Sequence, residues 1–84
     1  MSIKIFTKHD CPRCPHAKKL ANDLIAEGYK VEEWDVDTRE GLAEATYYSV
    51  RATPSIIVTD DETDEELASW RGETPSKEEV LKKA

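Results

Sequence analysis

The sequence predicts an α/β domain in which a mixed four-stranded sheet is flanked by three helices, in the order β-α-β-α-β-β-α. Three observations carry this prediction. The first half alternates short β-patterned runs with helical stripes of apolar residues. The apolar run "SIIVT" leads through an acidic turn, "DDETDEE", into a further β-patterned run, "LASWR", which reads as a hairpin. The chain then closes on "GETPSKEEVLKK", a segment with two helix-start signals.

Taken in order, Ile3 to Thr7 ("IKIFT") alternates apolar and polar residues and predicts the first strand. From Ala17 the apolar positions are Ala17, Leu20, Ala21, Leu24 and Ile25, the stripe of an amphipathic helix, and Gly28 supplies its C-cap. One turn further back the same stripe reaches Cys14, which should face the core while Cys11 sits at the helix mouth. Residues 31–36 ("VEEWDV") predict the second strand, and "TREGLAEATYYS" a second helix with Thr38 as N-cap, although Gly41 lies inside it. Residues 55–59 and 67–71 form the hairpin. The last helix starts either at Thr74 with Pro75 in its first position or at Ser76 with Glu79 completing a capping box. A right-handed crossover makes the first two strands parallel, and the tight turn makes the last two antiparallel.

Residues 1–84 read as one domain, and a chain this short buries only about 60 to 65% of its unfolded surface. Net charge is −6, which repels phosphate backbones and anionic membrane surfaces and argues against nucleic acid or lipid as a partner. No apolar run approaches the roughly 18 residues of a membrane span, and "MSIKIFTKHD" lacks the features of a signal peptide. A cytoplasmic, monomeric protein is expected. Its two cysteines, Cys11 and Cys14, stand at C-x-x-C spacing, which in a reducing compartment points to redox chemistry or to metal binding.

The stretch "TKHDCPRCPH" holds that pair between a strand and a helix. A thiolate at a helix N-terminus is stabilised by unpaired backbone N–H groups and the helix dipole, which lowers a thiol pKa from about 8.5 into the range of roughly 3.5 to 7.5. Cys11 has that position, Pro12 suits the first helical position, and Lys8 and Arg13 add positive charge that Asp10 opposes. Cys14, one turn on and facing inward, is placed to attack a mixed disulfide formed on Cys11. Pro15 is the odd residue: with Cys11 as N-cap it falls at the fourth helical position, where it deletes a hydrogen bond. The histidines His9 and His16 read as solvent-facing, and Trp34 as packing on the sheet.

This constellation resembles the glutaredoxin branch of the thioredoxin-like superfamily over nearly the whole chain. "IFTKHDCPRCPHAKKL" is similar to that family's strand, loop and dithiol helix, with Lys8 as the lysine shortly before the motif. "VEEWDVDT" is similar to its second strand, ending in Asp35 to Asp37. "ATPSIIV" resembles the segment whose Thr-Pro bond is cis and faces the dithiol, here Thr53 and Pro54. Within the branch, "SWRGETP" resembles a segment of the NrdH-type redoxins, with Trp70, Gly72 and Pro75 in register and Arg71 in place of a serine. Glutathione-using glutaredoxins tend to carry Gly-Gly followed by acidic residues there, whereas this chain has Gly72 and then Glu73. Pro12, by contrast, is the glutaredoxin-like feature.

The resemblance implies a dithiol oxidoreductase that reduces protein disulfides, with Cys11 attacking and Cys14 resolving, and Lys8, Pro12, Arg13, Thr53, Pro54 and Trp70 as substrate-binding residues. It implies no tightly bound cofactor and electrons from a thioredoxin-reductase-type enzyme or from glutathione. Partners are then disulfide-containing proteins, a ribonucleotide reductase among them by analogy. The alternatives are a glutathione-dependent glutaredoxin and a C-x-x-C carrier of soft metal ions. The carrier reading calls for a β-α-β-β-α-β order and a Met-x-Cys-x-x-Cys motif, where this chain has His9.

Overall fold

The computed structural model describes residues 1–83. Seven elements follow in the predicted order: β1 (Ser2–Thr7), α1 (Cys14–Ala26), β2 (Lys30–Asp35), α2 (Arg39–Tyr47), β3 (Ser55–Thr59), β4 (Glu66–Arg71) and α3 (Lys77–Lys83). The sheet runs β2-β1-β3-β4. As expected, β1 and β2 pair in parallel, joined by the crossover helix α1, and β3 and β4 pair antiparallel. β1 pairs antiparallel with β3, with Ile5 opposite Ile56, so β1 is a central strand. This order is not the β-α-β-β-α-β of the metal-carrier alternative.

Helices cover both faces of the sheet. On one face Ile3, Ile5, Ile56 and Val58 meet Ala17, Leu20, Ala21 and Leu24 of α1 and Val80 of α3. On the other, Phe6 and Ile57 meet Ala45 of α2 with Tyr48 and Val50, and Trp34 packs half-buried against them. Each fully buried isoleucine or leucine contributes roughly 2 kcal/mol of transfer free energy. Among the described residues, no helix is long and apolar enough to cross a membrane.

Coverage of both faces corrects one implication of the alternating "IKIFT". All six residues of β1 are buried, including Lys4, which is 6% exposed. Its ammonium lies 3.2 Å from both Glu32 and Glu44 and 5.6 Å from the ring centres of both Trp34 and Tyr48. Burial by itself would lower the Lys4 pKa, but hydrogen bonds to Glu44 and Glu32 outweigh it and leave it raised.

The helix ends are built largely as read. Gly28, with φ of +89°, follows α1, donating to the Ile25 carbonyl at 2.9 Å, while Tyr29 donates to Leu24 at 3.1 Å. Ile25 departs from the expected stripe and is 52% exposed. Thr38 caps α2, its hydroxyl accepting from the Gly41 N–H at 3.0 Å. Of the two starts for α3, the Ser76 capping box is the one used: the Glu79 N–H donates to Ser76 Oγ at 3.2 Å and the Ser76 N–H to Glu79 Oε1 at 3.4 Å.

Candidate functional site

The cysteine loop leaves the end of β1 and enters α1 later than expected. Arg13 is the N-cap, Cys14 the first helical residue, and Pro15 falls within the first turn. Placing the helix start at Pro12 would have put Pro15 where it costs a hydrogen bond; the later start moves it to a position whose N–H has no intrahelical partner anyway. Cys11 therefore precedes the cap and joins it through a turn in which the Cys14 N–H donates to the Cys11 carbonyl at 3.3 Å. Asp10, just before it, reverses the chain with φ of +58°, a left-handed conformation that aspartate tolerates better than most residues.

Cys11 and Cys14 form a disulfide, with Cα atoms 5.3 Å apart. Their environments differ as the helical stripe implied: Cys14 is buried at 2% exposure, while Cys11 is half-buried. The Thr53–Pro54 peptide bond is cis, with Pro54 buried and Thr53 half-buried.

An open cleft of about 420 Å³ brings Cys11 together with Lys8, Pro12, Arg13 and Thr53. Asp37 also lines it, and its carboxylate accepts from the His9 N–H at 2.8 Å. Neither Lys8 nor Arg13 makes an ion pair among the described residues. Pro54 lies in an adjacent groove of about 600 Å³ that starts at Arg13 and runs between His16 and Lys19 of α1 and residues 73–77. Within that groove the buried Thr74 hydroxyl lacks a hydrogen-bond partner among the described residues. Trp70 lines neither the cleft nor the groove; it packs half-buried against the isoleucine-rich cluster under α1 and α3. Its place on β4 opposite Ile56 directs it there.

Three participants lay outside the residues that the sequence alone nominated for substrate binding. Asp37 gave a signal only as the end of "DVD", which has no chemistry until the strand brings it beside the cysteine loop. His16 and Lys19 reach the groove because they follow Arg13 at three-residue intervals on one side of α1.

A half-buried cysteine bonded to a buried one, at the mouth of a helix and in one cleft with the threonine of a cis Thr-Pro bond, defines a thioredoxin-like redox protein with a disulfide-forming cysteine pair. A family model for the thioredoxin domain matches residues 1–84, and the chain belongs to that family. It is 36% identical over 59 residues to a probable thioredoxin of Archaeoglobus fulgidus, an alignment covering 69% of this chain and 65% of that protein. It is 29% identical over 62 residues to a thioredoxin of Methanocaldococcus jannaschii, covering 73% of each. Among solved structures, thioredoxin 1 from the thermophilic eubacterium Thermosipho africanus has the same fold, with a TM-score of 0.67 at 21% identity, covering 99% of this chain and 89% of that one. These relatives are named thioredoxins, not glutaredoxins or NrdH-type redoxins.

Proposed function

We propose that this protein is a cytoplasmic dithiol reductant of protein disulfides, a glutaredoxin-like or NrdH-type redoxin. The observation that carries the reading is the asymmetry of the pair, with Cys11 half-exposed in an open cleft and Cys14 buried behind it. In the reduced protein the Cys11 thiolate attacks one sulfur of a target disulfide, forming a mixed disulfide and expelling the other target sulfur as a thiolate. The Cys14 thiol loses its proton and attacks Cys11, closing the intramolecular bond and releasing the second target thiolate. Two electrons pass from the dithiol to the target, and each target thiolate takes up a proton.

The cleft supports binding of a target strand along Thr53, with Lys8 and Arg13 as cationic flanks. The placement of Trp70 supports a packing role more than contact with a substrate. The electron donor is a thioredoxin-reductase-type enzyme: "SWRGETP" has the NrdH-like pattern and Glu73 follows a single glycine. Glutathione is the alternative donor, favoured by Pro12. The protein acts as a monomer without a tightly bound cofactor.

Replacement of Cys14 by Ser tests the assignment of roles, because it should trap a mixed disulfide on Cys11; absence of any trapped species overturns it. The donor is read from NADPH consumption with a model disulfide, recharged in parallel by thioredoxin reductase and by glutathione with glutathione reductase. Turnover with the first alone is expected, and turnover with glutathione alone would make the protein a glutaredoxin.

A further inference from the structure

We propose that the His9 imidazole is the proton acceptor for Cys14, taking the thiol proton as Cys14 attacks the mixed disulfide and handing it to the departing target sulfur. This rests on the disulfide-reductase reading above and adds to it the base that the resolving step needs. Cys14 is 2% exposed, and a thiol shut away from water gives up its proton reluctantly. The buried polar residues among those described are Ser2, Lys4, Thr7, Ser55 and Thr59, with no carboxylate or imidazole among them. The acceptor therefore stands on the open side of the pair.

An opening of about 450 Å³ is lined by Cys11, Cys14, His9 and Asp10, with two lysines and two prolines completing it. Of these only His9 and Asp10 take up a proton near neutral pH. Transfer is most efficient between groups of similar proton affinity, which favours an imidazole over a carboxylate as the partner of a thiol. His9 also lines the Cys11 cleft, so one ring borders the openings onto both the attacked sulfur and the resolving one. Its main chain is fixed by the Asp37 carboxylate at 2.8 Å, while 85% of its side chain is exposed and free to turn. Asp10 Oδ1 stands 3.8 Å from His9 Nε2, a carboxylate beside the imidazolium that the transfer creates. Asp37 and, with opposite sign, Lys8, Arg13 and Lys18 are the other charges around the two openings. His16, the other histidine, lines the groove along α1 and neither opening onto the cysteines.

The step balances within the site. Cys14 passes its proton to His9 and attacks Cys11; the Cys11–Cys14 bond forms and the bond from Cys11 to the target breaks. The target sulfur leaves with the electron pair and takes the proton from His9. One proton thus moves from Cys14 to the target, and His9 returns to its neutral form.

The test is a single turnover of the pre-reduced full chain with a disulfide-bonded peptide, stopped in acid at intervals and read by mass as the rise and decay of the mixed disulfide. In His9→Ala the decay at about pH 7 is expected to slow about tenfold, less than most general bases contribute because a thiol is partly ionised without help. The rise, which reports attack by Cys11, should change far less. Added imidazole should restore the decay, and the deficit should narrow as the pH is raised to about 9, where hydroxide removes the proton instead. A residue that only shapes the loop would respond to neither. His9→Ala keeps the main-chain bond to Asp37, and unchanged circular dichroism confirms that the variant folds.

Decay at the parent rate in His9→Ala overturns the inference while leaving the reductase reading intact. A deficit that neither imidazole nor higher pH relieves overturns it as well, and a deficit confined to Asp10→Asn assigns the proton to Asp10 instead. A parent chain that forms no mixed disulfide with a peptide that dithiothreitol reduces overturns both readings.

Discussion

The Asp37 carboxylate accepts a 2.8 Å hydrogen bond from the His9 main chain and thereby ties the end of β2 to the loop that presents Cys11. The Asp35 side chain accepts in turn from the Asp37 N–H at 2.8 Å. The loop that presents Cys11 is thus held by a charge-assisted bond between two exposed segments. Asp37→Ala should lower stability by about 1 kcal/mol, the exposed site discounting the larger values seen for buried charged pairs. It should also slow formation of the mixed disulfide on Cys11. Urea unfolding with trapping kinetics checks both, and rates unchanged in Asp37→Ala would remove Asp37 from the positioning of the loop.

Gly41 is required by its neighbours. A Cβ built there would stand 1.8 Å from the Asp35 carbonyl oxygen and 2.9 Å from Thr38 Oγ1. The carbonyl belongs to the backbone, so relief requires α2 to shift on the sheet. Gly41→Ala should therefore destabilise by about 3 kcal/mol, despite the better helix propensity of alanine, at the upper end for overpacked sites. A thermal melt equal to that of the parent would contradict the close approach.

Buried Lys4 makes alkaline stability its signature. The Lys4 pKa is raised above its ordinary 10.5 through Glu44 and Glu32, which outweigh burial, and that of Tyr48 is raised above 10.0 chiefly by burial. In both cases the folded state holds its proton more tightly than the unfolded state. Their contributions are complete below the ordinary values and disappear as pH rises through the folded ones. Unfolding free energy should fall above about pH 10. Lys4→Met should flatten the lysine part of that fall at a cost of about 2 kcal/mol, because it leaves the part-exposed Glu32 and Glu44 carboxylates facing each other without their cation. Lys4→Ala should cost about 3 kcal/mol because it also leaves a cavity.

At the acid end the sign reverses. The pKa of Glu66 is lowered, first by its hydrogen bond from Arg71, and that of Asp61 by hydrogen bonds from the N-terminal ammonium and Ser2. Their stabilisation is present above the ordinary values of 4.5 and 3.8 and is lost as pH falls through the folded ones. Arg71→Met should make the acid limb shallower below pH about 4.5 without altering the alkaline one; parallel acid limbs in the two proteins would refute the pairing.

The Ser76 capping box starts α3, a helix of seven residues. Such a short helix is marginal without its cap, so Ser76→Ala should cost about 1 kcal/mol. Ser76→Asp should recover most of it, and urea midpoints for the three proteins decide the matter.

Much of this was legible because the signals are local. The stripe from Cys14 to Leu24 placed one cysteine inward and one outward, and the hairpin from Ser55 to Arg71 followed from its turn chemistry. The motif residues Lys8, Pro12 and Arg13 adjoin Cys11 in sequence, so any fold of that loop keeps them near it. Where the reading slipped, two local rules competed. Pro12 and Pro15 both favour a first helical turn, and the pair together moved the start of α1 to Cys14. Trp70 belonged by resemblance with the dithiol, while its side of β4 packs it into the isoleucine-rich cluster under α1 and α3.

The sequence by itself determined the order of elements, the facing of the two cysteines and the Thr38 cap of α2, all of which depend on period, propensity and hydrogen bonds within a few residues. Tertiary structure alone decided the burial of Lys4, the need for glycine at position 41 and the meeting of Asp37 with His9. The meeting of Thr53 and Cys11 in one cleft belongs with these. Each depends on which strand lies beside β1 and which helix covers it, a matter of contacts between residues distant along the chain that no local period encodes.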